Sequence, residues 1–451
     1  MSLAKTIAPD IEELIREKSP DLAAAVSELH PADIAELLED LPREDRLVLF
    51  EALPPEKGAA VLSELKGETL RQILHQASPE KLGPQLDRVP GDEVTFLLEH
   101  VSQRQREALL AKMSPRDAAE AKRLLRYEPR TAGRLMSEKF ATMRPEWTVA
   151  ETLEHLKKID PEVETIQTIY AVDAEGHLVG AVSLRKLLPA PPDKKVSELM
   201  DRRIATVRAD TPQEEVANLV SKYDVFAIPV VDEQNRPLGI VTVDDVIDVL
   251  NEEQTEDLLH MGGVAAKEET IQGYFATSPI RNVRLRFNWL LLLFAAETLT
   301  GTVLRHFQDE LSKVVALSFF IPLLIGTGGN SGSQTVTTIV RGLAVGEIRL
   351  RDFWRVFARE SGSGLVLGLL LGVVGFGRAL LWGSHTALAL TVGVSILAIC
   401  TWANAVGATI PMLATLFKID PTVMSAPLIA TLVDATGLFI YFAIARVFLG
   451  L

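Results

Sequence analysis

The stretch PTVMSAPLIATLVDATGLFIYFAIA, residues 421–445, carries one charged side chain, Asp434, in an otherwise apolar run. About eleven residues into such a helix, Asp434 would lie roughly 16 Å along the axis, near the middle of a bilayer. An acid at that depth costs about 2.5–3.5 kcal/mol to insert. We therefore expect Asp434 to face a water-filled or ion-filled interior. The alternative is an acid hydrogen-bonded to a neighbouring span without a role in transport.

Charge is distributed unevenly along the 451 residues. Residues 1–280 contain 33 basic and 52 acidic residues, whereas residues 281–451 contain 13 basic and 8 acidic residues. This asymmetry predicts an acidic, water-soluble front half attached to a membrane-embedded back half. An acidic surface of this size argues against nucleic acid and favours cations or basic partners.

Several classes of protein are excluded by what the sequence lacks. The start, MSLAKTIAPDIEELIREK, has no apolar core of a secretory signal, so we expect the front half to stay in the cytoplasm. Cys400 is the only cysteine and lies in an apolar stretch, which excludes disulfide bonds and thiolate metal sites. No P-loop, Ser/His/Asp set or Cys/His cluster is found, so we expect no enzyme.

Residues 1–130 are predicted to form an all-α superhelical domain. Apolar residues recur at steps of three and four, as at Ile34, Leu37, Leu38 and Leu41. Prolines end these short segments at regular intervals, which is typical of a stack of short helices. We interpret this part as a helical interaction module.

Residues 131–250 contain an internal repeat, with copies at 131–192 and 193–250. Leu135-Met136 in the first copy matches Leu199-Met200 in the second, Asp173 matches Asp232, and Gly180 matches Gly239. Each copy has the pattern of a β-α-β-β-α unit with a Gly- or Asn-bearing turn. The pair resembles a tandem CBS domain, and this resemblance implies ligand sensing.

Residues 281–451 are predicted to cross a membrane five times, at about 287–305, 314–340, 361–382, 388–412 and 421–447. Basic residues concentrate before the first span and in the 341–360 loop, whereas the loops at 305–313 and 378–387 contain few. The positive-inside rule then places the N-terminus in the cytoplasm and the C-terminus outside.

The second predicted span contains the polar sequence GTGGNSGSQ at 326–334. Its glycines, among them Gly326 and Gly328 around Asn330, predict irregular backbone with exposed carbonyls; the alternative is tight helix packing. Pro427 should weaken the last helix and free the carbonyl of Val423. Carbonyls and one carboxylate form a hard-oxygen site that suits hydrated Mg²⁺. Glu297, nearer a span end, is expected to be a structural or secondary polar residue.

An acidic segment, DDVIDVLNEEQTED at 244–257, connects the repeat to the membrane half. On a helix, Asp245, Asp248, Glu252 and Glu256 share a face, flanked by Glu253 and Asp257. We expect these charges to repel another acidic surface unless divalent cations bind between them. The alternative is a solvated helix face.

This order of segments resembles the MgtE-type magnesium channels, as do the stretches GTGGNSGSQ at 326–334 and APLIATLVDATGL at 426–438. The resemblance implies a homodimer in a bacterial inner membrane, in contact with lipids. It also implies a "plug" helix, here about 246–264 within a 246–275 connecting segment, that closes the pore when cytosolic Mg²⁺ is high. The implied pore residues for Mg²⁺ are Asp434, Asn330, Gly326, Gly328 and Ala430.

The same resemblance implies regulatory Mg²⁺ ligands at Asp92, Glu214, Asp224, Asp245, Asp248, Glu253, Glu256, Asp257 and Asp420. The chain departs from the family pattern at Pro212, Ala60 and Phe96, which stand where the family has acids. Thr242 and Asp245 match the Ser/Thr-x-x-Asp pattern that contacts the ribose of ATP, whereas the first copy has Ser183 and Lys186.

Two other functions remain open from the sequence. A carrier that exchanges divalent cations for H⁺ or Na⁺ would use Asp434 as a titrating site. A membrane-anchored nucleotide sensor without transport is supported only by the CBS pair. Mn²⁺ or Co²⁺ are further candidates as surrogates for Mg²⁺.

Overall fold

The computed structural model describes residues 3–159, 163–266 and 278–451. They fall into two compact units, Met1–Glu253 and Gln254–Leu451. The first unit combines short helices with two small sheets, and the second consists of helices within its described residues. The predicted combination of an all-α domain, an α/β repeat and a five-span helical domain is confirmed.

The N-terminal part of the first unit is a stack of short helices. Several of them begin with a proline in the first turn, where the missing N–H would have no partner in any case. Leu37 and Leu38 are fully buried between them, as the three- and four-residue spacing predicts. The helices are α1 (Leu3–Arg16), α2 (Leu22–Ser27), α3 (Pro31–Asp40), α4 (Arg43–Ala52), α5 (Pro55–Glu64), α6 (Gly67–Gln76), α7 (Pro79–Leu86), α8 (Gly91–Glu99), α9 (Gln103–Leu110) and α10 (Pro115–Leu124).

Two copies of one α/β unit follow. The first contains α11 (Ala132–Leu135), β1 (Thr142–Met143), α12 (Val149–Leu156), β2 (Thr168–Val172), β3 (Leu178–Ser183) and α13 (Leu184–Leu187). The second contains β4 (Val207–Arg208), α14 (Gln213–Tyr223), β5 (Ala227–Val231), β6 (Pro237–Thr242) and α15 (Val243–Met261). The sheets have the orders β1-β2-β3 and β4-β5-β6, each with a parallel and then an antiparallel pair. The predicted repeat is therefore confirmed.

The two copies exchange their leading segments. Ser137, at the start of the first copy, bridges to Ile240 in the second, and Asp201 bridges back to Ala181. A Cβ atom on Gly239 would lie 2.7 Å from the Ser137 carbonyl oxygen, and one on Gly180 would lie 2.8 Å from that of Asp201. The matching glycines thus provide space for the leading strand of the opposite copy.

The second unit contains five helices long and apolar enough to cross a membrane, counted over the described ranges. They are α16 (Pro279–His306), α18 (Ile321–Ala344), α19 (Phe353–Leu381), α20 (Thr386–Leu416) and α21 (Ala426–Leu449), with α17 (Gln308–Lys313) after the first. Short 3₁₀ segments, Val315–Phe320, Leu350–Asp352 and Pro421–Val423, precede the second, third and fifth.

Helix α20 is the centre of this unit, because it packs against α18, α19 and α21. The backbones of α19 and α20 approach each other closely. A Cβ on Gly368 would lie 2.8 Å from the Leu397 carbonyl oxygen, and one on Gly372 would lie 2.6 Å from that of Gly393. Helix α16 is different, since only 6% of the residues in its most apolar 18-residue stretch are buried. It packs mainly against α21.

Helix α15 connects the repeat to the membrane half. Val246 and Val249 on this helix pack into the core of the second copy. The helix ends at Met261, and the predicted connecting segment 246–275 continues into residues 267–277, which lie outside the described residues.

Candidate functional site

Asp434 lies beside the backbone of the polar motif in the second span. A Cβ atom on Gly329 would be 3.4 Å from both Asp434 Oδ1 and Ala430 Cβ. Ala430 precedes Asp434 by one helical turn, so both point towards α18. Gly329 was not among the predicted pore residues. The structure thus brings two of them, Asp434 and Ala430, to one point on α18, where the carboxylate is half-buried.

Gly326 and Asn330 lie on an open face of the same helix. Both are exposed, and no atom outside the immediate backbone comes within 4 Å of a Cβ built on Gly326. Because they are four residues apart, they share one side of α18. Gly329 follows Gly326 by three residues, so the open face adjoins the point where Asp434 contacts the helix.

Other glycines of the motif have a packing role. A Cβ on Gly328 would be 2.5 Å from Ile399 Cγ2, so this residue, predicted to line the pore, is buried against α20 and α21. A Cβ on Gly407 would be 2.8 Å from the Gly332 carbonyl oxygen. The backbone of α18 is continuous from Ile321 to Ala344. The prediction of irregular backbone is therefore wrong, and for these glycines the packing alternative holds.

The expected break near Pro427 is also wrong. Helix α21 begins at Ala426, after Ser425 at the N-cap, so Pro427 occupies the first turn and does not interrupt the helix. Val423 belongs to the preceding 3₁₀ segment. As a consequence, Asp434 lies about 12 Å along its helix, not 16 Å.

A buried hydrogen bond fixes α18 against α20. Ser331 Oγ donates to Asn404 Oδ1 over 2.6 Å, and both side chains are nearly inaccessible. In an apolar medium such a bond sets the rotation of one helix against the next. Sequence reasoning missed this pair, although Asn404 is a polar residue in a long uncharged stretch.

We expect Asn404→Ala to lower the melting temperature of the purified protein, because it leaves the buried Ser331 hydroxyl without its acceptor. The loss should be about 1–2 kcal/mol. The matched control is Ser395→Ala on the same helix, because Ser395 is fully buried and its hydroxyl has no hydrogen-bond partner among the described residues. Equal melting temperatures for the two variants would contradict this role for the pair.

A second concentration of acids lies in the first unit, around Asp92 and Asp245. Asp92 is at the start of α8, only 9% exposed, and its Oδ1 has no hydrogen-bond partner among the described residues. Asp245 Oδ2 accepts a hydrogen bond from Thr242 Oγ1 over 2.6 Å. Burial holds the pKa of Asp92 well above its usual range, and the charge of Asp245 raises it further.

Two acids that the sequence did not single out belong to this group. Burial raises the pKa of Glu164, which follows α12, and the charge of Asp244 adds to the effect. Burial likewise raises the pKa of Glu93, which also responds to Glu164 and Asp244. For Asp245, burial raises the pKa to about 7, against hydrogen bonds from Thr242 that lower it. The group combines carboxylates from three separate segments of the unit.

Asp248 and Glu253 are compensated by basic side chains. Lys66 Nζ lies 3.0 Å from Asp248 Oδ1, and Arg130 Nη2 lies 2.5 Å from Glu253 Oε1. Gln213 Nε2 also donates to Glu253 Oε1 over 2.7 Å. The repulsion expected between the 244–257 segment and another acidic surface is therefore reduced by bases that are distant in sequence.

The remaining predicted regulatory ligands lie elsewhere along the chain. Glu214 lies in the first turn of α14 and Asp224 ends that helix with a φ of +52°; both are exposed. Glu256 and Asp257 are half-buried near the end of α15. Asp420 Oδ1 accepts from the Thr422 N–H, and its Oδ2 lies 3.7 Å from His260 Nδ1.

None of these residues forms a ready-made metal cage. Over the residues that the structure describes, no group of three or more His, Cys, Asp or Glu side chains has the geometry to hold an ion. The donors present are carboxylates and carbonyls, which fit a hydrated hard cation better than a dehydrated one. Thr242 and Asp245, the predicted nucleotide contacts, are likewise not arranged as a ready-made site, because their side chains hydrogen-bond to each other.

Comparisons with known proteins agree with this architecture. The chain matches the MgtE divalent cation transporter family over residues 321–444, the MgtE intracellular N domain over 29–130 and CBS domains over 132–193 and 196–252. It is 40% identical to the magnesium transporter MgtE of Thermus thermophilus, covering 99% of both chains. It is 31% identical to MgtE of Bacillus subtilis, covering 97% of this chain and 96% of the relative.

A solved structure supports the same assignment. The cytosolic domain of the Mg²⁺ channel MgtE in complex with ATP is 39% identical, with a TM-score of 0.51 over 54% of this chain and 99% of that chain. The relatives named above are transporters, which confirms the prediction of a non-enzymatic protein. On this sequence and fold, the chain is a multi-pass membrane protein of the MgtE magnesium transporter family.

Proposed function

We propose that the protein is a Mg²⁺ channel through which Mg²⁺ enters the cytoplasm down its electrochemical gradient. The observation that carries this proposal is the half-buried Asp434 carboxylate beside Gly329, at a depth where α18 and α21 carry no other charged side chain. A single carboxylate beside a small residue leaves room for a cation that keeps its water shell. The exposed Gly326 and Asn330 would continue the path along α18.

The path needs a second copy of the chain, so we propose a homodimer. In one chain, Asn330 and most of α16 are exposed although they lie in membrane spans. Polar groups at that depth require a polar neighbour or water. A two-fold partner would enclose the open face of α18 and bring two copies of Asp434 towards one axis.

The orientation that we propose places the N-terminal unit in the cytoplasm and the C-terminus outside, in a bacterial inner membrane. Arg281, Arg284 and Arg286 start α16, and Arg349 and Arg351 precede α19. Both basic segments then lie on the cytoplasmic side, which is what the positive-inside rule requires. The acidic group around Asp92 would consequently sample cytosolic Mg²⁺.

Cytosolic Mg²⁺ would close this channel by binding to the acidic group. Asp92 is buried and Asp245 and Glu164 are half-buried near one another, with the charge of Lys139 offsetting only part of the repulsion at Glu164, so bringing the three acids together has an electrostatic cost. A divalent cation removes that cost and favours the compact arrangement. Asp248, Glu253, Glu256, Asp257, Glu214, Asp224 and Asp420 remain proposed secondary ligands.

ATP is proposed as a second regulatory ligand at the CBS pair. Support comes from the Thr242 and Asp245 pattern and from the ATP complex of the similar cytosolic domain. Closure by Mg²⁺ should protect the protein from proteolysis. Because Asp245 belongs to both proposed sites, ATP should alter the Mg²⁺ concentration at which this protection appears. A protection curve that is identical with and without ATP would contradict this regulation.

The experiment that tests conduction is a recording from the full chain in a planar bilayer with Mg²⁺ as the permeant cation. Discrete unitary currents that reverse at the Mg²⁺ equilibrium potential would support a channel. The driving force is substantial, since two charges crossing about 100 mV gain roughly 4.6 kcal/mol. Flux that requires an H⁺ or Na⁺ gradient and shows no unitary events would instead support the carrier. Mn²⁺ and Co²⁺ can be compared as surrogates in the same bilayer.

A further inference from the structure

Glu297 is a charged residue in the middle of the first membrane span. It lies on α16, where the less exposed residues are Leu293, Ala296, Thr300 and Val303. Their spacing of three and four defines the side of the helix that packs against α21. Glu297 itself is exposed and follows Leu293 by four residues, so it lies at the border of that contact side.

Glu297 and Asp434 lie at a similar depth. Counted from Phe287, the first residue after the arginine cluster, Glu297 is about 15 Å along α16. Asp434 is about 12 Å along α21, counted from Ala426. The two carboxylates are also near enough in space for the charge of one to act on the other. Two acids at one depth on packed helices indicate a shared environment.

A buried hydroxyl group, that of Thr300, lies about one helical turn from Glu297. Thr300 is 6% exposed, and its Oγ1 has no hydrogen-bond partner among the described residues. Its neighbours behave differently, because Thr298 donates to the Ala295 carbonyl and Thr302 donates to the Thr298 carbonyl. The Thr300 hydroxyl therefore retains its capacity to bond water or a hydrated ion at the α16 and α21 contact.

We propose that Glu297 is a second carboxylate of the cation path, facing the same water-filled space as Asp434 and attracting hydrated divalent cations to it. This inference rests on the proposed channel function. It replaces the expectation of a structural or secondary polar residue near a span end. It also explains how an acid can lie at a depth where exposure to lipid would be costly.

The contribution of Glu297 is electrostatic and acts through water. For a divalent cation about 8 Å away, one unit charge changes the local concentration about fivefold even with the dielectric constant of bulk water. Direct coordination is not required. A charge acting at this range is screened by salt, since the Debye length falls from about 30 Å at 0.01 M to about 8 Å at 0.15 M.

Cysteine labelling tests whether Glu297 faces water or lipid. The full chain offers a clean background, because Cys400 is fully buried. We expect Glu297→Cys to react at least about tenfold faster with a cationic, water-borne methanethiosulfonate than Leu299→Cys, since only thiolates in water react rapidly. Leu299 is the matched control, because it is 56% exposed on another side of the same helix. Millimolar Mg²⁺ should slow the reaction at position 297.

Ion flux provides the second measurement, on Glu297→Gln in liposomes. We expect its Mg²⁺ flux to be about fivefold lower than that of the parent at low ionic strength, and this difference to shrink when salt is added, because screening removes the advantage that the charge gives the parent. A folding defect would leave the ratio of the two fluxes unchanged by salt. Glu297→Asp should retain most of the flux because it keeps the charge.

The outcomes separate this inference from the proposed function. If the parent chain conducts Mg²⁺ but Glu297→Gln matches it at low salt, or if positions 297 and 299 label equally, Glu297 faces lipid or a partner helix and the inference is wrong. If the parent chain conducts no Mg²⁺, the proposed channel function fails, whatever the labelling shows.

Discussion

We expect Asp434→Asn to reduce Mg²⁺ flux at least about thirtyfold, the largest effect of any single substitution in the membrane unit. The side chain keeps its shape and loses only its charge. One unit charge attracts a divalent cation about 5 Å away, across one water layer, by about 1.7 kcal/mol in bulk water and by about 2 kcal/mol or more at the lower dielectric constant inside the span. About 2 kcal/mol corresponds to a factor of roughly thirty.

The measurement is dye-reported Mg²⁺ uptake by liposomes that contain equal amounts of the parent or variant chain. Asp434→Glu should retain partial flux, because the charge remains near Gly329. Asp309→Asn is the matched control: it removes the same charge from an exposed position in α17, outside the spans. Unchanged flux in Asp434→Asn, with parent-like flux in the control, would mean that the carboxylate does not face the path.

The number of membrane spans could be predicted from the sequence, but their limits could not. Hydropathy indicated a first span at about 287–305, whereas α16 begins at Pro279, capped by Ser278. The third span was likewise placed at 361–382, and α19 begins at Phe353. Hydropathy detects only the part in contact with lipid, while backbone hydrogen bonding continues the helix into the charged flanks.

The polar motif in α18 shows why composition alone was misleading. Glycines predict a weak helix when considered individually. In the protein, Gly328 and Gly332 allow close approach of α20 and α21, and the packing compensates for their low propensity. The sequence near Pro427 does indicate where α21 begins, since Ser425 followed by a proline within the first turn is a common helix start.

The acidic group in the first unit could be predicted only in part. Asp92 and Asp245 followed from the family resemblance, but Glu93 and Glu164 did not. Their proximity depends on the packing of α8 against segments about 70 and 150 residues away, which no local periodicity reveals. The pairing of Lys66 with Asp248 is similarly long-range. Charge patterns along 244–257 alone therefore overestimated the repulsion.

The second large effect concerns Asp245. We expect Asp245→Asn to make the Mg²⁺-free protein more resistant to proteolysis and to remove most of the protection that Mg²⁺ gives. Burial raises the pKa of this carboxyl from 3.8 to about 7. Keeping it ionised above pH 7 therefore costs the folded state on the order of 4 kcal/mol. Asparagine fills the same space without this cost.

The sign of the pH dependence follows from the same shift. Because the pKa is higher in the folded than in the unfolded state, the stability that protonation contributes is fully present below about pH 4. It is lost as the pH rises to about 7. The Mg²⁺-free parent should become easier to digest over this range, and Asp245→Asn should change less. Asp92 should act in the same direction, because burial raises its pKa as well.

Mg²⁺ should reverse this loss only where the carboxylates are ionised. Protection by about 10 mM Mg²⁺ should therefore be small near pH 5 and large near pH 8 in the parent, and small at both in Asp245→Asn. The control is Glu175→Gln, an exposed acid in the turn between β2 and β3, which should follow the parent. If Asp245→Asn keeps the parent's response to Mg²⁺ near pH 8, the cation acts elsewhere. The channel would then be closed through Glu256, Asp257 or Asp420 and not through the acidic group around Asp92 and Asp245.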